Sequence, residues 1–369
     1  MMDITTRNFF KLLRAGTFGS EEEIEPMSAW KWNQVYAYAL SHHVAALLWD
    51  GVERCSSQFF MQLPDTLRQV WSESTRQTEE AFRRQTAVTA ELTDIYGRMH
   101  VRPILVQGAA LAHLYETPAH RLPETISVFL PFDTQGAKAD EWARGNASIT
   151  ADADRVFTFE WKEEKVENRH RLLNLTNQLH QHTLKHIVEQ SIRQEQATYT
   201  QINGVRIETL SPTLSMLLLL LQIAKAMLNE GICLKNVVDM GVFLRRQGDR
   251  VDFVTLQEWT SKLGLQRVAN LAGSLLIVLL NFGEDELPFV TVQKKQDAKQ
   301  SETVLHNCRN ASVEDWYFKQ GTDVFVHTAN TSAMIEHLRH SMRYFGYYPS
   351  ESITNFFSVF AHSLSHIEE

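Results

Sequence analysis

Residues 101–130, VRPILVQGAALAHLYETPAHRLPETISVFL, decide the fold, because here two strand-like apolar runs bracket a glycine turn and a short helix. Pro103-Ile104-Leu105-Val106 reads as a buried strand, Gln107-Gly108 as the turn, and Ala109 to Tyr115 as a helix of small residues. After a loop marked by Pro118 and Pro123, Ile126 to Leu130 reads as a second strand. This order offers a cradle for phosphate, since free amides at a helix N-terminus attract anions.

Upstream, the pattern is helical. Thr5 to Ala15 forms an amphipathic helix through Phe9, Phe10, Leu12 and Leu13, which Gly16 and Gly19 should end, and the acidic run Glu21 to Glu25 reads as a solvated linker. Ser28 caps a second helix carrying Trp30, Trp32, Tyr36 and Tyr38 and leading into His42 and His43. Of these histidines, His43 is expected to pack and His42 to face water. Adjacent residues point about 100° apart on a helix, so the two cannot hold one metal from one face. Pro64 to Met99 has helical composition throughout, with Leu67, Val70, Trp71, Phe82, Val88, Leu92, Ile95 and Tyr96 as its apolar positions.

Downstream, Pro131 to Thr150 is polar and small, helical around Ala139 to Ala143. Arg155 to Trp161 alternates as a third strand, and Lys165-Val166-Glu167 reads as a fourth. Arg171 to Ile192 is predicted as a helix on which His182, His186 and Glu189 share a face, a spacing open to a surface metal but expected of a plain polar face. Thr198 to Thr209 is a hairpin about Asn203-Gly204, and Ser211-Pro212 opens an almost wholly apolar helix to Leu228. The remainder, to His366, alternates amphipathic helices with turns at Gly231, Gly248, Gly264 and Gly283 to Pro288. The expected class is α+β: residues 1–100 a helical region, 101–210 an α/β domain with a small mixed sheet, and 211–369 an all-helical domain.

The 369 residues suffice for a sizeable core. Lys plus Arg number 36 against 44 Asp plus Glu, a net charge of -8 with neither sign in a long block, so nucleic acid is not the expected partner. Cys55, Cys233 and Cys308 lie far apart without ligand spacing, which suggests neither a disulfide framework nor a zinc site and fits a reducing cytoplasm. The N-terminal apolar run is too short for a signal peptide, and the longest apolar run, Met216 to Leu221, is about a third of the roughly 20 residues a membrane span needs. The dinucleotide and phosphate-loop glycine motifs are absent, as is a Ser or Cys nucleophile motif.

At Gln107-Gly108 and Glu124-Thr125-Ile126-Ser127 the chain resembles the nucleotidyltransferase-fold superfamily, and within it a bacterial family of uncharacterised nucleotidyltransferases. Members typically carry Lys-Gly at the first turn and Gly-Asp-x-Asp entering the second strand, whose aspartates hold divalent metal against a nucleoside triphosphate. Both aspartate positions are hydroxyl residues here, Thr125 and Ser127, while Tyr115, Pro118 and Arg121 of the connecting segment are kept. Val166-Glu167-Asn168, followed by Arg169 and His170, matches the segment holding the family's third carboxylate. The N-terminal pattern of Trp32, Val35 and Tyr36, then His43-Val44-Ala45, also looks like the family. So do Glu230-Gly231-Ile232-Cys233-Leu234-Lys235, Asp239 and Leu263-Gly264-Leu265. Gln222 and Ala226 stand where members commonly show a histidine pair, and Lys235 where they show arginine.

The resemblance implies Glu167 as the retained catalytic carboxylate and Gln107, Gly108, Thr125, Ser127, Lys235 and Asp239 as ligand-binding positions. Two-metal nucleotidyl transfer needs clustered carboxylates, and hydroxyls supply no charge. Three readings follow. The first is a catalytically silent protein binding a nucleotide, a phosphorylated ligand or a protein partner, with no metal or cofactor. The second is an active Mg²⁺-dependent transferase acting on a nucleoside triphosphate through Glu124, Asp133 and Glu167. The third is a structural assembly subunit.

Overall fold

The computed structural model describes residues 3–194, 197–229, 232–290, 346–352 and 354. The Glu230-Gly231 pair, Cys308 and most of the helical pattern expected beyond Val290 lie outside the described residues. The chain divides into two compact units, one of Met1–Asn174, Val188–Ser215 and Arg245–Gln247, the other of Leu175–Ile187, Met216–Leu244 and Gly248–Glu369.

The first unit begins with Ile4–Phe18 (α1), Ala29–Ser41 (α2), Ala45–Arg54 (α3) and the 34-residue Asp65–Arg98 (α4). Contrary to expectation, Gly16 does not end α1, which runs on to the Gly19 cap at φ 69°. A Cβ on Gly16 would strike the Leu47 carbonyl of α3, and one on Gly51 the Leu12 carbonyl of α1, so these glycines let the two helices touch backbone to backbone. The acidic run is likewise not merely solvated. Glu25 accepts from Arg7 Nη2 at 2.6 Å and Glu22 from Arg14 Nε at 2.6 Å, laying the run along the basic side of α1 while Ile24 is buried.

The histidine assignment is reversed: His42 is buried and His43 exposed. The helix stops at Ser41, so helical spacing no longer governs the pair, and His43 turns outward at φ 57°. Burial lowers the His42 pKa to about 4, with the nearby His43 adding to the shift.

Ile104–Val106 (β1) leads through Gln107 into Gly108–Ala112 (α5), shorter than the helix expected to Tyr115. Ile126–Phe129 (β2) and Asp133–Asn146 (α6) follow, then Ser148–Ala153 (β3), Val156–Trp161 (β4) and Glu164–Arg169 (β5). Gln178–Gln194 (α7) starts later than predicted, because the Asn177 side chain accepts the Leu179 and His180 amides and caps it there. Thr198–Ile202 (β6) and Val205–Thr209 (β7) form the expected hairpin, with Asn203 and Gly204 both at positive φ. One mixed seven-stranded sheet results, in the order β3-β4-β5-β2-β1-β7-β6. β1 pairs antiparallel with β2 and parallel with β7, and β2 pairs parallel with β5. β3 had no apolar alternation to announce it, since it is exposed along its whole length at the sheet edge.

The core of this unit joins Val88, Leu92 and Tyr96 of α4 and Ala139 and Ala143 of α6 to Leu105, Ile126, Val128, Phe159, Val166 and Ile207 of the sheet. Strand alternation then sends Ser127, Glu167 and Arg169 to the opposite face.

In the second unit, Pro212–Asn229 (α8), which opens in the first unit, carries its buried Leu217 to Leu221 run. Leu234–Gln247 (α9), Phe253–Lys262 (α10) and Gln266–Leu280 (α11) follow. Gly241 of α9 lies so close to Leu276 of α11 and to Phe282 that a Cβ would press on both. No helix among the described residues is long and apolar enough to cross a membrane.

Candidate functional site at the β1, β2 and β5 strands

The register of three strands assembles the site. Val106 opposes Ser127 across β1 and β2, and Ser127 opposes Glu167 across β2 and β5. Gln107, the residue after β1, takes φ 64° and ψ -139°, a conformation that costs a non-glycine residue about 1–3 kcal/mol. Its side-chain oxygen lies 3.4 Å from the Ser127 hydroxyl, which also donates to Glu167 Oε2 at 3.2 Å.

Arg169, two residues on and on the same face of β5, donates from Nη2 to the same Glu167 oxygen at 2.6 Å. Both side chains are mostly buried, and Arg169 Nε is buried without a hydrogen-bond partner among the described residues. Arg169 as the counter-ion of Glu167 was missed in the sequence. The i, i+2 alternation of β5 was the signal that could have found it.

The structure therefore brings Gln107, Ser127 and Glu167 together, with Thr125 entering β2 just ahead of them. A Cβ at Gly108 would sit 2.7 Å from Arg121 Nη1 and 2.9 Å from Glu124 Oε2, so the flank of the turn is filled by that ion pair. Asp133 opens α6 and pairs with Arg155 at 2.6 Å, largely exposed. Lys235 and Asp239 belong to the second unit, one turn apart on α9 and both buried.

On the core face of β5 lies a polar chain that sequence reading did not find. Tyr96 donates to Asn168 Oδ1 at 2.9 Å, Asn168 Nδ2 donates to Asp140 Oδ1 at 2.9 Å, and His170 Nε2 lies 2.7 Å from Asp140 Oδ2. It ties α4 and α6 to the strand that carries Glu167 and Arg169.

Residues 28–281 match the family described as uncharacterised nucleotidyltransferase. The chain belongs to this family. It is also similar to an antigenic nucleotidyltransferase-like protein from Paracoccidioides brasiliensis, with 12% identity over 44% of this chain and 76% of that one and a TM-score of 0.31. No curated protein matches. A nucleotidyltransferase of the two-metal kind needs anionic oxygens that converge on its cations. Here the donors are an amide, two hydroxyls and one carboxylate already neutralised by a guanidinium, and this set does not fit a divalent pair. Among the described residues no three His, Cys, Asp or Glu side chains gather as a metal group.

Proposed function

We propose that the protein is a catalytically silent nucleotidyltransferase-like protein of the cytoplasm that binds a nucleotide or other phosphate-bearing small molecule without a divalent metal. One observation carries the reading: the Glu167 carboxylate is held by Arg169 and Ser127, where a transferase would need it beside two further carboxylates. Support for an anionic ligand comes from the same place. Arg169 keeps a buried Nε donor without a partner among the described residues, and a guanidinium in a partly buried site suits phosphate oxygens. The active reading through Glu124, Asp133 and Glu167 is disfavoured, because Glu124 serves Arg121 and Asp133 serves Arg155.

The test pairs an assay with a titration. Purified protein given nucleoside triphosphates with Mg²⁺ or Mn²⁺ should transfer no nucleotidyl group above background. Calorimetric titration with ATP and with pyrophosphate should give the same affinity in EDTA as in Mg²⁺. Robust transfer abolished by Glu167→Ala would overturn the proposal, and no binding of either probe by the folded protein would favour the structural-subunit reading.

A further inference from the structure

His120 sits in the segment that connects α5 to β2, in the short 3-10 turn Pro118–His120, and its ring is buried between two helices. Nδ1 lies 2.8 Å from Asp50 Oδ1 on α3, and Nε2 lies 3.0 Å from Glu79 Oε1 on α4. A neutral imidazole has one donor nitrogen and one acceptor, so it can serve only one of these carboxylates while the other meets a lone pair. Two carboxylates on two ring nitrogens require the imidazolium.

The next residue turns inward. Arg121, 2% exposed, donates to Glu124 Oε2 at 2.9 Å and to the Leu122 carbonyl at 3.3 Å, and this pair lies against the α-carbon of Gly108. Other ties on the segment are the Arg54–Glu116 ion pair to α3, at 2.6 Å, and the bond from Gln85 of α4 to the Glu124 carbonyl. Histidine is the side chain that ordinarily changes charge near neutral pH, and His120 is the histidine within residues 116–124. His113, packed on Phe82 of α4, has its pKa lowered by burial, in the direction opposite to that of His120.

We propose that His120 is a protonation latch: as imidazolium it pins residues 116–124 to α3 and α4 and holds the Arg121–Glu124 pair against the Gly108 turn, and on losing its proton it releases one carboxylate and lets that pair withdraw. The latch concerns the segment itself and holds whichever ligand uses the turn. Burial alone would lower the His120 pKa, but the hydrogen bonds and charges of Asp50 and Glu79 outweigh it and raise the pKa above the ordinary 6.5. With the folded value above the unfolded one, the latch contributes fully below the unfolded pKa and is lost as pH rises through the folded value.

The test is an NMR titration of the histidine rings together with amide hydrogen exchange on the full chain. The His120 midpoint should lie above 6.5, and Asp50→Asn and Glu79→Gln should each lower it. Exchange at residues 116–124 and at Gly108, corrected for its intrinsic pH dependence, should rise by roughly tenfold between about pH 6 and pH 9. In His120→Gln that step should vanish. A midpoint at or below 6.5, or a step that survives in His120→Gln, would overturn the latch. Should His120→Gln not fold, Glu79→Gln decides: the step must move to lower pH with the midpoint, and an unmoved step refutes the proposal.

Discussion

The Ser127 hydroxyl and the Glu167 carboxylate face each other across β2 and β5 at 3.2 Å, on a carboxylate oxygen that Arg169 also holds at 2.6 Å. A second carboxylate placed at 127 would meet Glu167 at this range, and two like charges there repel unless a cation lies between them.

Thr125→Asp with Ser127→Asp and Gln107→Lys should therefore melt below the parent in EDTA and recover with Mg²⁺, because a ligand that binds the folded state stabilises it. Its nucleotide affinity should become Mg²⁺-dependent by about tenfold or more, and adding Arg169→Gln should strengthen that dependence by freeing Glu167. Thermal melts and calorimetry with and without Mg²⁺ check this. Melting curves that ignore Mg²⁺ would mean that the site has lost more than its charges.

His42 should make stability fall as the solution is acidified below the ordinary histidine pKa of 6.5. His42 is buried with a pKa near 4, below its unfolded value, so its contribution is complete above the ordinary 6.5 and lost between there and about 4. The loss should be about 3 kcal/mol. In His42→Gln the difference between urea midpoints at neutral and acid pH should shrink; an unchanged difference would place the acid sensitivity elsewhere.

Gly16→Ala and Gly51→Ala should each destabilise the folded state by roughly 1–3 kcal/mol, since each methyl meets a carbonyl oxygen across the α1–α3 contact. Their effects should not add, because both push apart the same helix pair. A melting temperature unchanged in either variant would contradict that crossing.

In the polar chain behind β5, Asp140→Ala should cost more than Tyr96→Phe. The first strands two buried groups, Asn168 Nδ2 and His170 Nε2, and the second only one lone pair of Asn168. The expected values are about 3 and about 1 kcal/mol. Urea denaturation measures both, and the reverse order would show that Asp140 is satisfied by other means.

Much of the fold was legible where local pattern and burial agree. β1, β2, β4, the Asn203-Gly204 hairpin and α4 are buried on a regular face or close through a turn that only certain residues tolerate. Elements without that agreement were missed or misplaced. β3 has no buried face, the start of α7 depends on the Asn177 cap, and His42 and His43 fall just beyond a helix end where periodicity stops. Gly16 read as a helix breaker because its reason for being glycine, the Leu47 carbonyl, lies on another helix.

The loss of charge at Thr125 and Ser127, and the survival of a carboxylate at Glu167, could be known from the sequence by itself, because charge belongs to the residue type wherever the chain places it. What that carboxylate is doing was decided by tertiary structure, since only the parallel register of β2 and β5 sets Ser127 opposite it. The same holds for His120, whose two ring nitrogens meet Asp50 and Glu79, residues 70 and 41 positions away in sequence. Protonation answers to neighbours in space, and no spacing along the chain could bring those two carboxylates to one ring.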